Sequence, residues 1–528
     1  MNQTMERLKR MEEKDYTALT RILFGLDSPT PVQQGLEEDD VKFFDETLNE
    51  SQRDAVRFAL ASKEVALIHG PPGTGKTYTL IELILQLIQR KQRILVCGPS
   101  NISVDNIVER LSPHKLPILR LGHPARLLPS VLNHSLDVLT QTSEAAEIVK
   151  DVRKEMDAKQ ASIKKTRNGR ERKAIYTDMK ELRKEYRERE KQCVGTLVGG
   201  SKVVLATLHG AGGFQLRNED FDIVIIDEAS QALEAQCWIP LLSAKKVVLA
   251  GDHLQLPPTI KSTPSKDSSD SKDAPTLETT LFSRLLTLHG PTLKRILTTQ
   301  YRMHASIMRF PSLAMYDCLL IAAPAVATRL LTTLPYPVAD TDDTREPLIF
   351  YDTQGGDFPE SAPPDENSGA DGNMKTPTKG SLLNDSKSNP SEALLVKKHV
   401  RSLVDAGVKA EDIAVITPYN AQLSYLANEL GFKEAFEGVE LGSVDGFQGR
   451  EKEVVVVSLV RSNDGGEVGF LKESRRLNVA MTRPRRQLCV IGDSETVGKG
   501  SEFLKKWMDH LEEHADLRYP NVADLQQG

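Results

Sequence analysis

The sequence predicts an α/β fold: two tandem domains, each built round a parallel sheet, with a charged helical insertion in the first. Three observations predict it. Short runs that are apolar throughout, rather than alternating, recur along the chain: VALIH (Val65 to His69), RILVCG (from Arg93), KVVLAT (from Lys202), DIVIID (from Asp222), KVVLAG (from Lys246), IAVITP (from Ile413), EVVVVS (from Glu453) and LCVIGD (from Leu488). Strands covered on both faces read this way. Helix-like stretches separate the runs, which implies βαβ units and parallel pairing. The length of 528 residues, at roughly 150 residues per domain, leaves room for about three domains and an ample core.

Composition narrows the class. The apolar fraction is 39%, ordinary for a globular chain. The formal net charge of -6 weighs against a phosphate-gripping surface, although a local positive groove can sit on an acidic molecule. The five cysteines, Cys97, Cys193, Cys237, Cys318 and Cys489, are odd in number and far apart. They form no CxxC or CxxH pair, which argues against a disulfide framework or zinc site and for a reducing compartment, nucleus or cytoplasm. The polar start MNQTMERLKR does not read as a signal peptide. No apolar run approaches the roughly 18 residues a membrane span needs.

Residues 1–45 read as a helix and linker. Leu8, Met11 and Tyr16, then Leu19, Ile22 and Leu23, are spaced for one helix face, ended by the Ser-Pro-Thr-Pro run at Ser28 to Pro31. The first α/β domain is expected over 46–290, the second over 291–510, and a tail over 511–528. Ser143 to Lys191 is dense in Lys, Arg and Glu and reads as a helical hairpin turning near Asn168-Gly169, either a solvated pair or a nucleic-acid clamp. Lys261 to Ala274 reads as a loose loop and Gly355 to Pro390 as disordered.

Gly70-Pro71-Pro72-Gly73-Thr74-Gly75-Lys76-Thr77 matches the P-loop pattern in full, after a strand and before the helical run TLIELILQLI. Its glycines allow turns that aim backbone N–H groups at phosphate oxygens, and the helix N-terminus adds partial positive charge. Lys76 can reach the β- and γ-phosphates of ATP, and the Thr77 hydroxyl can ligate Mg²⁺. Asp227-Glu228-Ala229-Ser230 closes the strand DIVIID, where a strand end aims carboxylates at a bound nucleotide. Asp227 is the metal candidate, and Glu228 the group that orients or deprotonates the attacking water.

P-loop chemistry is shared by many enzymes, so the class rests on further strings. In Gly251-Asp252-His253-Leu254-Gln255-Leu256-Pro257-Pro258, Gln255 can hydrogen-bond a γ-phosphate or a water. Arg302, in Gln300-Tyr301-Arg302-Met303-His304, and Arg483, in NVAMTRPRR from Asn478, lie beyond the first domain. An arginine brought from another domain neutralises charge on the transferred phosphoryl group.

Taken together these strings resemble superfamily 1 helicases, in the branch of the up-frameshift RNA helicase and the immunoglobulin-mu-binding helicase. The resemblance runs from about Leu48 to Asp493. It implies two RecA-like domains and assigns roles residue by residue. Gln52, in Leu48-Asn49-Glu50-Ser51-Gln52, reads adenine, and Tyr301 stacks near it. Glu451, in VDGFQGREKEVVVVS from Val444, meets the ribose. Arg302 and Arg483 act as arginine fingers across a sandwiched nucleotide. GPSNISVDNI from Gly98 and ITPYNAQ from Ile416 resemble strand-contacting motifs, making Ser100, Asn101, Thr417 and Pro418 the nucleic-acid candidates. LQLPPTIKS from Leu254 and AMTRPRRQL from Ala480 bring the chain nearest to fungal DNA helicases associated with DNA polymerase alpha.

The resemblance implies 5′-to-3′ unwinding of tailed duplex DNA by a monomer that hydrolyses ATP with Mg²⁺, with DNA polymerase alpha as a protein partner. RNA or RNP remodelling by the same fold is the alternative. A third reading is a non-unwinding ATPase, because the barrel that family members carry before the adenine-reading motif has no counterpart ahead of the stalk-like helix Glu6 to Phe24.

Overall fold

In the computed structural model, residues 1–32, 41–142, 144–165, 168–260, 277–361, 386–429, 431–447 and 449–525 are described. The loose loop expected over Lys261 to Ala274 lies outside them. The chain forms two units. The first comprises Met1–Gly70, Gly75–His253 and Pro257–Leu297; the second comprises Pro71–Thr74, Leu254–Leu256 and Thr298–Gly528.

In the first unit, β1 (Val65–His69), β2 (Ile94–Gly98), β3 (Ile118–Leu121), β4 (Val203–Thr207), β5 (Phe221–Ile226), β6 (Ala244–Gly251) and β7 (Lys294–Ile296) form one sheet. Its order is β3-β4-β2-β5-β6-β1-β7, with every pairing parallel. Successive residues of a strand point to opposite faces, and here both faces are core. Val65 and Leu67 join Leu19, Leu23 and Trp238 on one side. Ala66 and Ile68 join Val56, Leu83 and Ile107, from the helices Glu50–Ala61, Lys76–Gln89 and Asn101–Leu111, on the other. This double burial is why the strands read as continuous apolar runs.

The single helix expected from Glu6 to Phe24 is broken. Asn2–Arg10 and Ala18–Phe24 are separate helices. Glu12 and Asp15 form a capping box between them, and the Thr17 hydroxyl accepts from Thr20 N at 3.1 Å to start the second helix. The charged insertion is a pair of helices, Glu144–Lys165 and Gly169–Gly200. The second runs past Lys191 because Cys193 and Val198 are buried at its end. Its outer charges pair locally, as in Arg189 with Glu185 at 2.7 Å, the pattern of a solvated helix face.

In the second unit, β8 (Thr299–Gln300) pairs with β9 (Ile321–Ala322). The strands β10 (Leu348–Asp352), β11 (Ile413–Thr417), β12 (Glu440–Ser443), β13 (Lys452–Ser458), β14 (Pro484–Gly492) and β15 (Asp516–Arg518) form a parallel sheet ordered β12-β11-β13-β14-β10-β15. Val455 and Val457 face one apolar cluster, Val454 and Val456 the other. Disorder across Gly355 to Pro390 does not hold at the two ends of that stretch. Phe358 is buried, Ser361 and Ser388 form an antiparallel bridge, and buried Asn389 caps the helix Pro390–Asp405 through Glu392 N at 3.0 Å. The middle of the stretch, 362–385, lies outside the described residues.

A buried ion pair fixes the helix after β2. Arg120 on β3, 0% exposed, donates to Asp105 Oδ1 at 2.7 Å and to Asn101 Oδ1 at 2.9 Å. The other Asp105 oxygen accepts from Leu128 N at 3.0 Å. Removing one partner of a buried pair strands the other charge, at about 3–5 kcal/mol. Asp105→Ala is therefore expected to lower unfolding stability by about that amount, read from the urea midpoint. Asp157→Ala, at the exposed pair with Arg153, should shift stability by less than about 0.5 kcal/mol.

Candidate nucleotide site

The loop after β1 is anchored before it turns. Gly70 N donates to Gly251 O at 3.1 Å, tying the loop's start to the end of β6. Gly73 and Gly75 have φ of 74° and 77°, the left-handed region where a side chain is strained. At Gly75 a Cβ would also lie 2.5 Å from Gln52 Nε2. Gln52 is itself fixed by a capping box at the head of Glu50–Ala61: Gln52 N donates to Asn49 Oδ1 and Asn49 N to Gln52 Oε1, each at 3.0 Å. The amide of Gln52 thus lies against the loop at Gly75. Thr74, buried at the tip, donates its hydroxyl to Pro71 O at 2.7 Å.

Lys76 opens the following helix and points to the end of β5. Its ammonium lies 3.1 Å from Asp227 Oδ1 and hydrogen-bonds Glu228. Burial pulls its pKa down, but the two carboxylates raise it more, and the net shift is upward. Glu228 moves up as well. Burial is the main cause, and the charges of Asp227 and Asp252 add to it against Lys76. A raised carboxyl is a better proton acceptor, the property a water-activating group needs.

Glu228 adopts φ of 53° and is steadied by Gln231 Nε2 at 2.7 Å. Thr77 is half-buried in the same first helical turn. A cationic Lys76, the Thr77 hydroxyl and two carboxylates provide hard oxygen ligands and charge balance for a phosphate-bound Mg²⁺, so the donor set fits that group.

Behind them runs a hydrogen-bond chain that sequence reasoning missed. Ser230 Oγ accepts from Asp252 N at 3.0 Å, and Asp252 Oδ1 lies 2.9 Å from His69 Nε2. It connects the ends of β1, β5 and β6. Ser230 and Asp252 stood inside motif strings and His69 closed the strand run VALIH, but only the fold shows that they meet.

The second unit holds the arginines. Arg483, 2% exposed, donates to Val479 O at 2.9 Å, to Arg450 O at 3.2 Å and to Gln255 Oε1 at 3.0 Å. Arg302 donates to Thr482 O at 3.0 Å and pairs with Glu451, which also pairs with Arg485. Burial alone would raise the Glu451 pKa, but Arg302 and Arg485 bring it down to about 2. Glu451 is thus engaged by guanidinium groups, and Arg485 joins the cluster as a residue the sequence reading left unassigned. Tyr301 is partly exposed, and its N–H donates to Gly73 O at 2.8 Å.

The nucleic-acid candidates divide. Ser100 is exposed and caps Asn101–Leu111 by accepting from Ser103 N at 3.1 Å. Asn101 is held by Arg120. Thr417 does not qualify as a side-chain contact: it is 0% exposed, and its hydroxyl accepts from Tyr419 N at 3.4 Å, the work of a turn residue. Pro418 beside it is half-exposed.

Fold and geometry agree with what the chain is similar to. Two AAA domain family models match it, over residues 47–263 and 277–495. The chain belongs to the up-frameshift-like helicases of superfamily 1. It is 51% identical to the DNA polymerase alpha-associated DNA helicase A of Schizosaccharomyces pombe, over 90% of this chain and 68% of that protein. It is 47% identical to DNA-binding protein SMUBP-2 of Rattus norvegicus over 97% of this chain, and spans about half (49%) of that protein's length. It is 35% identical to the Regulator of nonsense transcripts 1 homolog of Neurospora crassa, over 91% of this chain and 40% of that protein. Among the described residues no helix is long and apolar enough to cross a membrane.

The Glu451 pairs make a pH prediction. Its folded pKa lies below its ordinary 4.5. It therefore contributes stability that is complete above 4.5 and is lost as pH falls toward about 2. In acid unfolding the difference in stability between the unsubstituted chain and Glu451→Gln should shrink across that window and stay constant above it.

Proposed function

We propose that the chain is an ATP-dependent DNA helicase that moves 5′ to 3′ along a single strand. The observation that carries this reading is Lys76 held between Asp227 and Glu228, in a chain whose second unit gathers Arg302, Arg483 and Gln255. On binding ATP, Lys76 exchanges its carboxylate partners for the β- and γ-phosphates. Gln52 reads the adenine, Tyr301 stacks beside it, and Glu451 takes the ribose. Mg²⁺, held by Thr77 and Asp227, would supply Lewis-acid charge neutralisation at the phosphoryl oxygens.

Glu228 accepts the proton of the attacking water. Arg302 and Arg483 stabilise the charge that develops on the transferred group. Ser100, Asn101 and the backbone at Pro418 hold the strand through sequence-tolerant contacts. The ATP cycle alternates that grip. The reading takes the chain as a monomer with DNA polymerase alpha as a partner, following the name of the S. pombe relative.

A second reading, RNA or RNP remodelling, draws on the similarity to a protein named for its action on transcripts. Matched DNA and RNA oligonucleotides separate the two: the DNA reading expects stronger stimulation of ATP turnover by single-stranded DNA. Displacement of a 5′-tailed but not a 3′-tailed duplex is expected. Binding without displacement of either would leave a non-unwinding ATPase.

For the chemistry, Lys76→Ala and Glu228→Gln should each cut turnover by on the order of a hundredfold or more, with circular dichroism unchanged. Undiminished turnover in either variant removes that residue from the mechanism.

A further inference from the structure

One exposed ring beside the ITPYNAQ turn has no role in the chemistry above. Phe470 is 47% exposed, although its neighbours Val468 and Leu471 are both fully buried. The turn that carries it, Gly469–Lys472, belongs to the second unit and buries Leu471. Gly469 has φ of 50°, and a Cβ there would stand 2.7 Å from Arg461 Nη1 and 3.0 Å from the Tyr419 hydroxyl. The Tyr419 hydroxyl donates to Val468 O at 2.9 Å, and Arg461 is itself held by Glu360 at 2.7 Å. The backbone is therefore fixed from below, and the Phe470 ring is the part left facing out.

The surroundings of the ring suit a nucleobase. The Tyr419 ring lies 5.7 Å away, centroid to centroid, at 57°. The Arg476 guanidinium lies 5.9 Å from the Phe470 centroid. Glu473 and Asp445, 3.3 and 3.7 Å from Arg476 Nε, keep that guanidinium beside the ring. Exposed Lys472 and half-buried Arg475 stand close by in sequence. A single exposed aromatic is unremarkable on a protein surface. An exposed aromatic with a guanidinium beside it, packed on Tyr419 next in sequence to half-exposed Pro418, matches the stacking-plus-cation pattern that holds unpaired strands.

We propose that Phe470, flanked by Arg476, is a stacking platform for one base of a bound single strand. The inference rests on the strand-binding reading above. It adds a contact to the base face, where Ser100, Asn101 and Pro418 address the backbone. Stacking tolerates any base, so the contact holds the strand without reading its sequence.

The test uses the full chain with oligo-dT and an abasic oligonucleotide of the same length. The two tryptophans, Trp238 and Trp507, are both buried, so F470W adds an exposed reporter. Its emission should fall on saturation with oligo-dT and stay level with the abasic strand. By anisotropy, Phe470→Leu should weaken oligo-dT binding by about tenfold and abasic binding by less than about twofold. Equal weakening on both strands, undiminished oligo-dT affinity, or unmoved F470W emission overturns the platform while strand binding stands. If the unsubstituted chain binds neither oligonucleotide, the strand-binding reading falls and the platform with it.

Discussion

Two carboxylates at the end of one buried strand repel each other and resist losing water, and the Lys76 ammonium is what lets Asp227 and Glu228 stay there. Lys76 follows β1, whereas Asp227 and Glu228 follow β5, with β6 hydrogen-bonded between those two strands. Their meeting depends on every strand running the same way, so that all carboxyl ends share one edge. Reversing one strand would take its loop to the opposite edge. The sheet order is thus a condition of the chemistry, and the buried Ser230–Asp252–His69 chain holds the three loop roots in register.

The second unit meets the mirror-image difficulty. Arginines that are to act on phosphate must be held close together without it, and like charges in a half-buried cluster need an anion. Glu451 provides one for Arg302 and Arg485 together, while Arg483 is satisfied by neutral carbonyl groups and by Gln255. A carboxylate and an amide hold the guanidiniums in place. The same logic applies to Lys76, whose charge is balanced by Asp227 and Glu228. Both units keep their cations paired by acids that the proposed reaction also needs.

Much of this was legible in the sequence because the polar residues of the buried strands sit near their ends and leave apolar runs between them. VALIH, DIVIID and EVVVVS each become a strand because both faces of each sheet are covered. The edge strands β3, β7, β12 and β15 escaped notice for the converse reason. They are short, and residues such as Arg120, Lys294 and Glu440 interrupt the apolar signal. The break between Arg10 and Ala18 was hidden because helical spacing continues through it, and only the caps at Glu12 and Thr17 reveal it. Arg120 could not have been paired with Asp105 and Asn101 from sequence, since nothing local says that β3 lies beside that helix. The burial of the Thr417 side chain was not legible, because a motif marks a turn without saying which of its atoms face out.

Both proposed strand-facing turns are held from within by buried polar groups. In the first unit Arg120 and Asp105 fix Asn101. In the second, Gln422 receives Asn389 N at 2.8 Å and donates to Ser458 Oγ at 3.1 Å. Glu392, whose pKa burial pushes up to about 8, accepts from Ser458 Oγ at 2.7 Å and Val460 N at 2.9 Å. Val460 sits at φ of 72°, a conformation that costs a β-branched residue on the order of 1–3 kcal/mol. Such strain persists only where surrounding bonds over-determine the backbone, and Glu392 with Asn389 Nδ2, 3.3 Å from Val460 O, does so here. A motor that grips a strand without reading it needs stiff turns more than particular side chains, because the backbone presents the same groups whatever base passes. The buried carboxylates, amides and guanidinium supply that stiffness, so the strained Val460 is a consequence of how rigidly its neighbours must be held.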